Sequence, residues 1–133
     1  MKRPVLVGWS GSAVSNRAIE VGAGFAERHQ VPLRVVAAWD FLDQPGPGFD
    51  PDVSSEKVLA AIEAAVAPVR VGHPGVEVHC DALLGWPPAI ICDASEAADL
   101  LVVGRSDKTR GHFGDWAPDV LLRRVRIPVV FVP

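Results

Sequence analysis

Five short apolar runs rich in β-branched residues punctuate this chain: Val5 to Trp9, Leu33 to Trp39, Gly75 to Cys80, Leu100 to Gly104 and Val129 to Val132. Several are apolar at consecutive positions, as strands are when both faces of their sheet are covered. Helical patterns lie between them. Ala18, Val21, Gly22 and Phe25 share one face, and Val58, Leu59, Ile62, Ala65 and Val66 share another, with Ser54 or Ser55 as cap. Pro87 and Pro88 open a third helix carrying Ile90, Ile91, Ala94 and Ala97, and a fourth runs from about Pro118 to Val125, ahead of Pro128. Strand and helix thus alternate along the chain. That order predicts an α/β fold: an open five-stranded parallel sheet with helices on both faces, doubly wound and Rossmann-like. Such sheets bind ligands beyond the carboxyl ends of their strands, where the winding reverses. The turns after Trp9 and after Gly104 are therefore the ones that matter.

At 133 residues the chain has material for one core, so residues 1–133 are read as a single domain. Hydrophobic residues make up 49% and charged residues 22%, which suits a folded globule. The formal net charge is -3 and the basic residues are scattered, so no nucleic-acid footprint is expected. No run approaches the roughly 20 apolar residues that cross a bilayer, and the apolar run after Lys2-Arg3 is too short for a signal peptide. The expectation is a cytoplasmic protein without a membrane partner. Cys80 and Cys92 form no CxxC pair and read as buried free thiols. His29, His73, His79 and His112 are dispersed, and the adjacent His79 and Cys80 point to opposite faces of a strand, so no metal site is expected. Residues 40–53 carry Pro, Gly and four aspartates; they read as an irregular loop, either a lid or a solvated excursion.

Four stretches resemble the universal stress protein family, and together they cover nearly the whole chain. Val5-Leu6-Val7-Gly8-Trp9-Ser10-Gly11-Ser12 is similar to the first strand and turn, with Ser10 where the family places aspartate. Leu84-Gly85-Trp86-Pro87-Pro88 resembles the Gly-x-Pro start of the third helix, and Ala98-Asp99-Leu100-Leu101-Val102-Val103-Gly104 resembles the fourth strand. Leu121 to Val132 resembles the last helix and closing strand. The resemblance implies the adenine-nucleotide α-hydrolase-like version of the fold, and ATP or AMP as the cofactor to test.

In family members that bind ATP, the fourth strand leads into G-x2-G-x9-G-[S/T], whose glycines let backbone amides approach phosphates. Gly104 satisfies the first position, but Asp107 stands at the second and brings a Cβ and a negative charge there. Counting forward from Gly104 puts Ala117-Pro118 at the final pair, and counting back from Pro128 puts Asp115-Trp116 there; neither restores it. Asp115 could cap the fourth helix with the groups a phosphate would use. The departures expected to weaken ATP binding are thus Ser10, Asp107, Asp115 and Trp116. Against them, Arg105, Lys108, Arg110 and His112 with Gly111 and Gly114 offer an alternative anion cradle, or simply solvated charge. The candidate nucleotide-binding residues are Ser10, Gly11, Ser12, Ala38, Gly104, Arg105, Lys108, Gly114 and Trp116. Trp9, Trp39, Trp86 and Trp116 fall near strand ends, where they either stack on a ligand, plug the cleft or pack as core.

No Walker loop, Rossmann glycine pattern or nucleophile elbow is present, and no catalytic constellation converges. Three readings follow: a non-enzymatic stress-response or regulatory module with weak or no ATP binding and an unidentified protein partner; a binder of ATP, AMP or another small molecule through residues 104–116; and a slow nucleotide hydrolase using Ser10, Ser12 or Ser106. The hydrophobic strand Val129, Val130, Phe131 and Val132 is expected at a sheet edge, and the resemblance implies a homodimer through it.

Overall fold

The computed structural model describes residues 1–39, 54–105 and 118–133. The elements run β1 (Val5–Gly8), α1 (Ala13–His29), β2 (Leu33–Trp39), α2 (Ser55–Gly72), β3 (Val78–Leu84), α3 (Pro87–Ser95), β4 (Leu100–Gly104), α4 (Pro118–Arg124) and β5 (Val129–Val132). The strands form one parallel sheet in the order β3-β2-β1-β4-β5, so the winding reverses between β1 and β4 and β5 lies at an edge.

The consecutive apolar positions do what double-sided burial requires. Val5 and Val7 of β1 point into a core shared with α1 and α2, including Ile19, Ala23, Ile62 and Val66. Leu6, between them, points the other way, into a core with Ile91, Leu101, Val103 and Leu121 on the side of α3 and α4. The periodicity of two thus feeds two cores at once.

Helices α1 and α2 begin at serine caps. Ser12 caps α1, accepting the Ser15 N–H at 3.2 Å, and Ser54 rather than Ser55 caps α2, accepting the Lys57 N–H at 3.3 Å. Pro87 and Pro88 open α3, where missing N–H groups cost nothing. Helix α2 continues through Pro68 to Gly72, which brings Val69 into the core. Leu59, expected on the inner face, turns outward and is 37% exposed. Ala97 lies beyond the end of α3 and is exposed.

The third strand differs from expectation. It runs Val78–Leu84 rather than Gly75 to Cys80, because the chain is still turning at Val76, whose N–H donates to the His73 carbonyl at 3.0 Å. A carboxylate is tolerated inside the strand because Arg34 Nε on β2 reaches Asp81 Oδ2 at 2.9 Å. The two cysteines are half-buried rather than fully so. Burial pushes the Cys80 thiol up to about 11 and raises that of Cys92, so both stay protonated at neutral pH.

Two polar contacts fasten the layers. Asp99 Oδ2 accepts the N–H groups of Arg3 at 2.7 Å and Lys2 at 2.8 Å, which lowers its pKa and pins the chain ahead of β1 to the start of β4. His73, the C-cap of α2, shares a 2.8 Å hydrogen bond with Glu27 of α1 and lies 3.6 Å from Glu20. The Glu27 bond raises the His73 pKa above 6.5, although burial opposes it. A raised folded-state pKa stabilises the fold fully below the unfolded value of about 6.5, and the effect fades as pH rises through the folded value.

Two outcomes are expected. In urea unfolding, His73→Gln should lose stability relative to the parent at pH 5.5, with the gap narrowing by pH 8.5; a constant gap would discount the charge. Gly22→Ala places a Cβ 2.6 Å from Val7 Cγ2 and 3.1 Å from Leu33 Cδ1. Overpacking of this kind costs about 1–3 kcal/mol, more than the helix propensity it adds. An unchanged urea midpoint would show that Val7 yields freely.

Candidate functional site

The site is built where β1 and β4, neighbours in the sheet, both end. Past Gly8 the Trp9 N–H still pairs with the Val36 carbonyl at 2.9 Å, and then the chain turns sharply into α1. Gly11 makes that turn at φ 87, a conformation in which a side chain would be strained. Ser10, Gly11 and Ser12 are half-buried.

The three residues are tied to one another. Ser10 Oγ and Ser12 Oγ share a hydrogen bond of 3.0 Å. Ser12 Oγ also accepts the Ser15 N–H, and Ser15 Oγ donates to the Ser12 carbonyl at 2.8 Å. Part of the free N–H capacity at the start of α1 is thereby used internally, and the turn from Trp9 to Ser12 carries no charged side chain.

On β4, Gly104 lies against the first turn of α1. A Cβ there would sit 2.9 Å from Val14 Cγ1 and 3.0 Å from both the carbonyl carbon and oxygen of Val14. The glycine therefore has a packing reason independent of any phosphate, and nothing in the sequence around Val14 signals which backbone it meets. Arg105 follows, exposed, its N–H bonded to the Val132 carbonyl at 2.6 Å. Arg17 of α1 donates through Nε and an η nitrogen to the Pro133 oxygen at 3.1 and 2.8 Å, so α1 is also tied to the segment after β5.

The sequence candidates divide accordingly. Ser10, Gly11, Ser12, Gly104 and Arg105 meet at this edge. Ala38 is on β2, 1% exposed, so its side chain is closed to a ligand. Lys108, Gly114 and Trp116, the motif departures Asp107 and Asp115, Ser106 and the loop 40–53 lie outside the described residues.

The tryptophans separate as well. Trp9 and Trp39 are core residues of the α1 and α2 side, 4% and 3% exposed, and the Trp9 Nε1–H donates to Asn16 Oδ1 at 2.7 Å. They do not present faces for stacking. Trp86 is 48% exposed, with the Arg124 guanidinium 5.5 Å above its ring. Among the described residues no group of three or more His, Cys, Asp or Glu side chains converges as a metal site, and no helix is long and apolar enough to cross a membrane.

Comparison with known proteins adds an independent line. The model of the universal stress protein family matches residues 1–133. Among curated proteins, the universal stress proteins Rv2005c of Mycobacterium tuberculosis and Mb2028c of Mycobacterium bovis are each 28% identical over 130 residues, which is 96% of this chain and 44% of theirs. The chain thus spans less than half the length of these relatives. Among solved structures, a universal stress protein in complex with cAMP superposes with TM-score 0.73 at 21% identity, covering 98% of this chain and 96% of that one. One from Archaeoglobus fulgidus in complex with dAMP gives 0.68 at 25% identity, covering 98% of each chain. UspA from Lactobacillus plantarum gives 0.71 at 18%, covering 100% and 99%.

The Gly104 contact is directly testable. Gly104→Ala should destabilise the fold by about 1–3 kcal/mol in urea unfolding, since backbone atoms of α1 would have to move. A variant as stable as the parent would mean that β4 and α1 are not held in this contact.

Proposed function

Because this chain belongs to the universal stress protein family, we propose that it is a non-enzymatic stress-response or regulatory module whose carboxyl-edge pocket binds adenine nucleotides weakly or not at all. The observation that carries this reading is the serine turn: Ser10 and Ser12 share one hydrogen bond, and Ser12 caps α1. A nucleotide needs acceptors for its sugar and base end and free N–H groups for its phosphates. Ser10 supplies a hydroxyl where the family resemblance calls for a carboxylate, and the cap competes for one N–H. The described residues therefore fit a nucleotide poorly. The sequence departures at Asp107 and Asp115 act in the same direction, by bringing negative charge to motif positions that the resemblance assigns to phosphate binding.

A second reading is supported by two of the similar structures, which hold cAMP and dAMP. In it Arg105 and the residues after it bind the phosphates through a rearranged loop, and the chain is a true nucleotide binder. A slow hydrolase has less support, since both cysteine thiols are held protonated and the serines of the turn bond to one another rather than to a base.

The same proposal includes a homodimer through β5. That strand pairs with β4 alone among the described strands, and Val129, Val130 and Phe131 are half-buried apolar residues on the outer edge. No catalytic partner surface is needed for such an arrangement.

Native mass spectrometry of the purified protein, followed by ATP and AMP titration read by tryptophan fluorescence, tests these points together. The expected result is a nucleotide-free dimer with no saturable response below millimolar nucleotide. Ser10→Asp should then strengthen adenine nucleotide binding by about tenfold, the scale of one added charge-assisted hydrogen bond. Stoichiometric copurified nucleotide would overturn the weak-pocket reading, and a clean monomer would overturn the dimer.

A further inference from the structure

The opposite end of the sheet holds a cavity that the family resemblance does not use. It measures about 370 Å³ and is lined by Arg3, Cys92, Ser95, Glu96, Arg124, Arg126 and Ile127. These residues come from the segment before β1, the end of α3, the end of α4 and the connection into β5, so four separated parts of the chain meet there. Its floor lies at the amino-terminal ends of the strands, across the sheet's length from Ser10 and Gly104.

Three arginines converge on this cavity, and among the described residues none of them forms an ion pair with a carboxylate. Glu96 is the one acidic residue in the lining, which leaves a net charge of +2. Asp99 lies outside the lining; the backbone N–H groups of Lys2 and Arg3 engage its carboxylate, which also feels the Arg3 charge, so Arg124 and Arg126 are the arginines left for a ligand. One guanidinium nitrogen of Arg3 donates to the Glu96 carbonyl at 2.8 Å, as a cation at a helix C-terminus does. Arg124 rests against Trp86. Arg126 stands past the end of α4 and makes no side-chain hydrogen bond among the described residues.

Helix dipoles account for Arg3 and contribute at Arg124, but their influence falls off within the last turn and does not explain Arg126. Three arginines in the lining of one cavity concentrate positive charge there, and a multiply charged anion offsets it while accepting from their forked donors. Ser95 gives nothing to such a ligand, since its hydroxyl donates to the Cys92 carbonyl at 2.6 Å. The recognition chemistry is therefore purely cationic.

We propose that this cavity is a second binding site, selective for phosphate-class dianions, at the amino-terminal edge of the sheet and independent of the nucleotide pocket. Inorganic phosphate and a phosphate monoester share that chemistry, and the cavity's volume admits either.

The test is isothermal titration of the full chain at low ionic strength with inorganic phosphate, inorganic diphosphate and glycerol phosphate in separate arms. Saturable one-to-one binding is expected in at least one arm, the tightest arm identifying free anion or ester as the source. Affinity in that arm should fall by about tenfold or more in R124Q/R126Q, the loss of two charge-assisted contacts. It should be unchanged in R28Q, whose arginine lies over Phe25 of α1. Circular dichroism of R124Q/R126Q confirms its fold, and Arg126→Gln alone provides a second, milder variant. No saturable heat in any arm, or equal affinity in the parent and both arginine variants, would overturn the proposal. An ATP response lost in R124Q/R126Q but insensitive to Ser10→Asp would report this cavity rather than the carboxyl edge.

Discussion

Everything in this fold hangs on β1 being buried from both sides. Val5, Val7 and Leu6 are fully inaccessible, the first two facing α1 and α2 and the last facing α3 and α4. Burying such side chains is worth about 1.5–3 kcal/mol each, so a short strand can anchor two helical layers. The strand's neighbours on both sides extend the same arrangement, and the reversal of winding falls at its carboxyl end. The position of the candidate site is thus a by-product of which strand occupies the middle of the sheet.

The layers approach one another tightly beside that site. Gly22 lets α1 settle onto Val7 and Leu33, and Gly104 lets β4 settle onto Val14. Together they bring α1 close onto β1 and its first turn onto the end of β4. A pocket made this way is shaped by packing before any ligand arrives, and its polar groups are set by the cap that starts the helix.

Much of this was legible in the residues, and the misses are informative. Fully buried stretches announce themselves by consecutive apolar residues, as at Val35 to Trp39 and Leu100-Leu101-Val102-Val103, because nothing polar competes there. The edge strand β3 extends past its apolar run because Asp81 inside it is made acceptable by Arg34 on a neighbouring strand, a contact no local pattern reveals, and it starts late because the chain still turns at Val76. Leu59 looked like a core residue by spacing, yet the sheet leaves its side of α2 uncovered. At the site, Gly11 and Ser12 followed from turn and cap chemistry, whereas the role of Gly104 depends on a valine ninety positions earlier in the chain. Asp99, carried along with the resembling strand, proved to be an anchor for Lys2 and Arg3; a single acid at the head of an apolar run was its only sign.

The two margins of the sheet are unlike in a way that bears on how copies of the chain meet. At the β3 margin, Asp81 and His79 interrupt the row, and Arg34 leans across to the former. At the β5 margin the side chains from Val129 to Val132 are all apolar. Growth of a fibre by head-to-tail addition needs two receptive margins on every copy. With one margin guarded by charge, the dimer contact proposed through β5 would be self-complementary, and two copies would exhaust it. In that proposed arrangement the asymmetry that leaves one side apolar would also cap the size of the assembly.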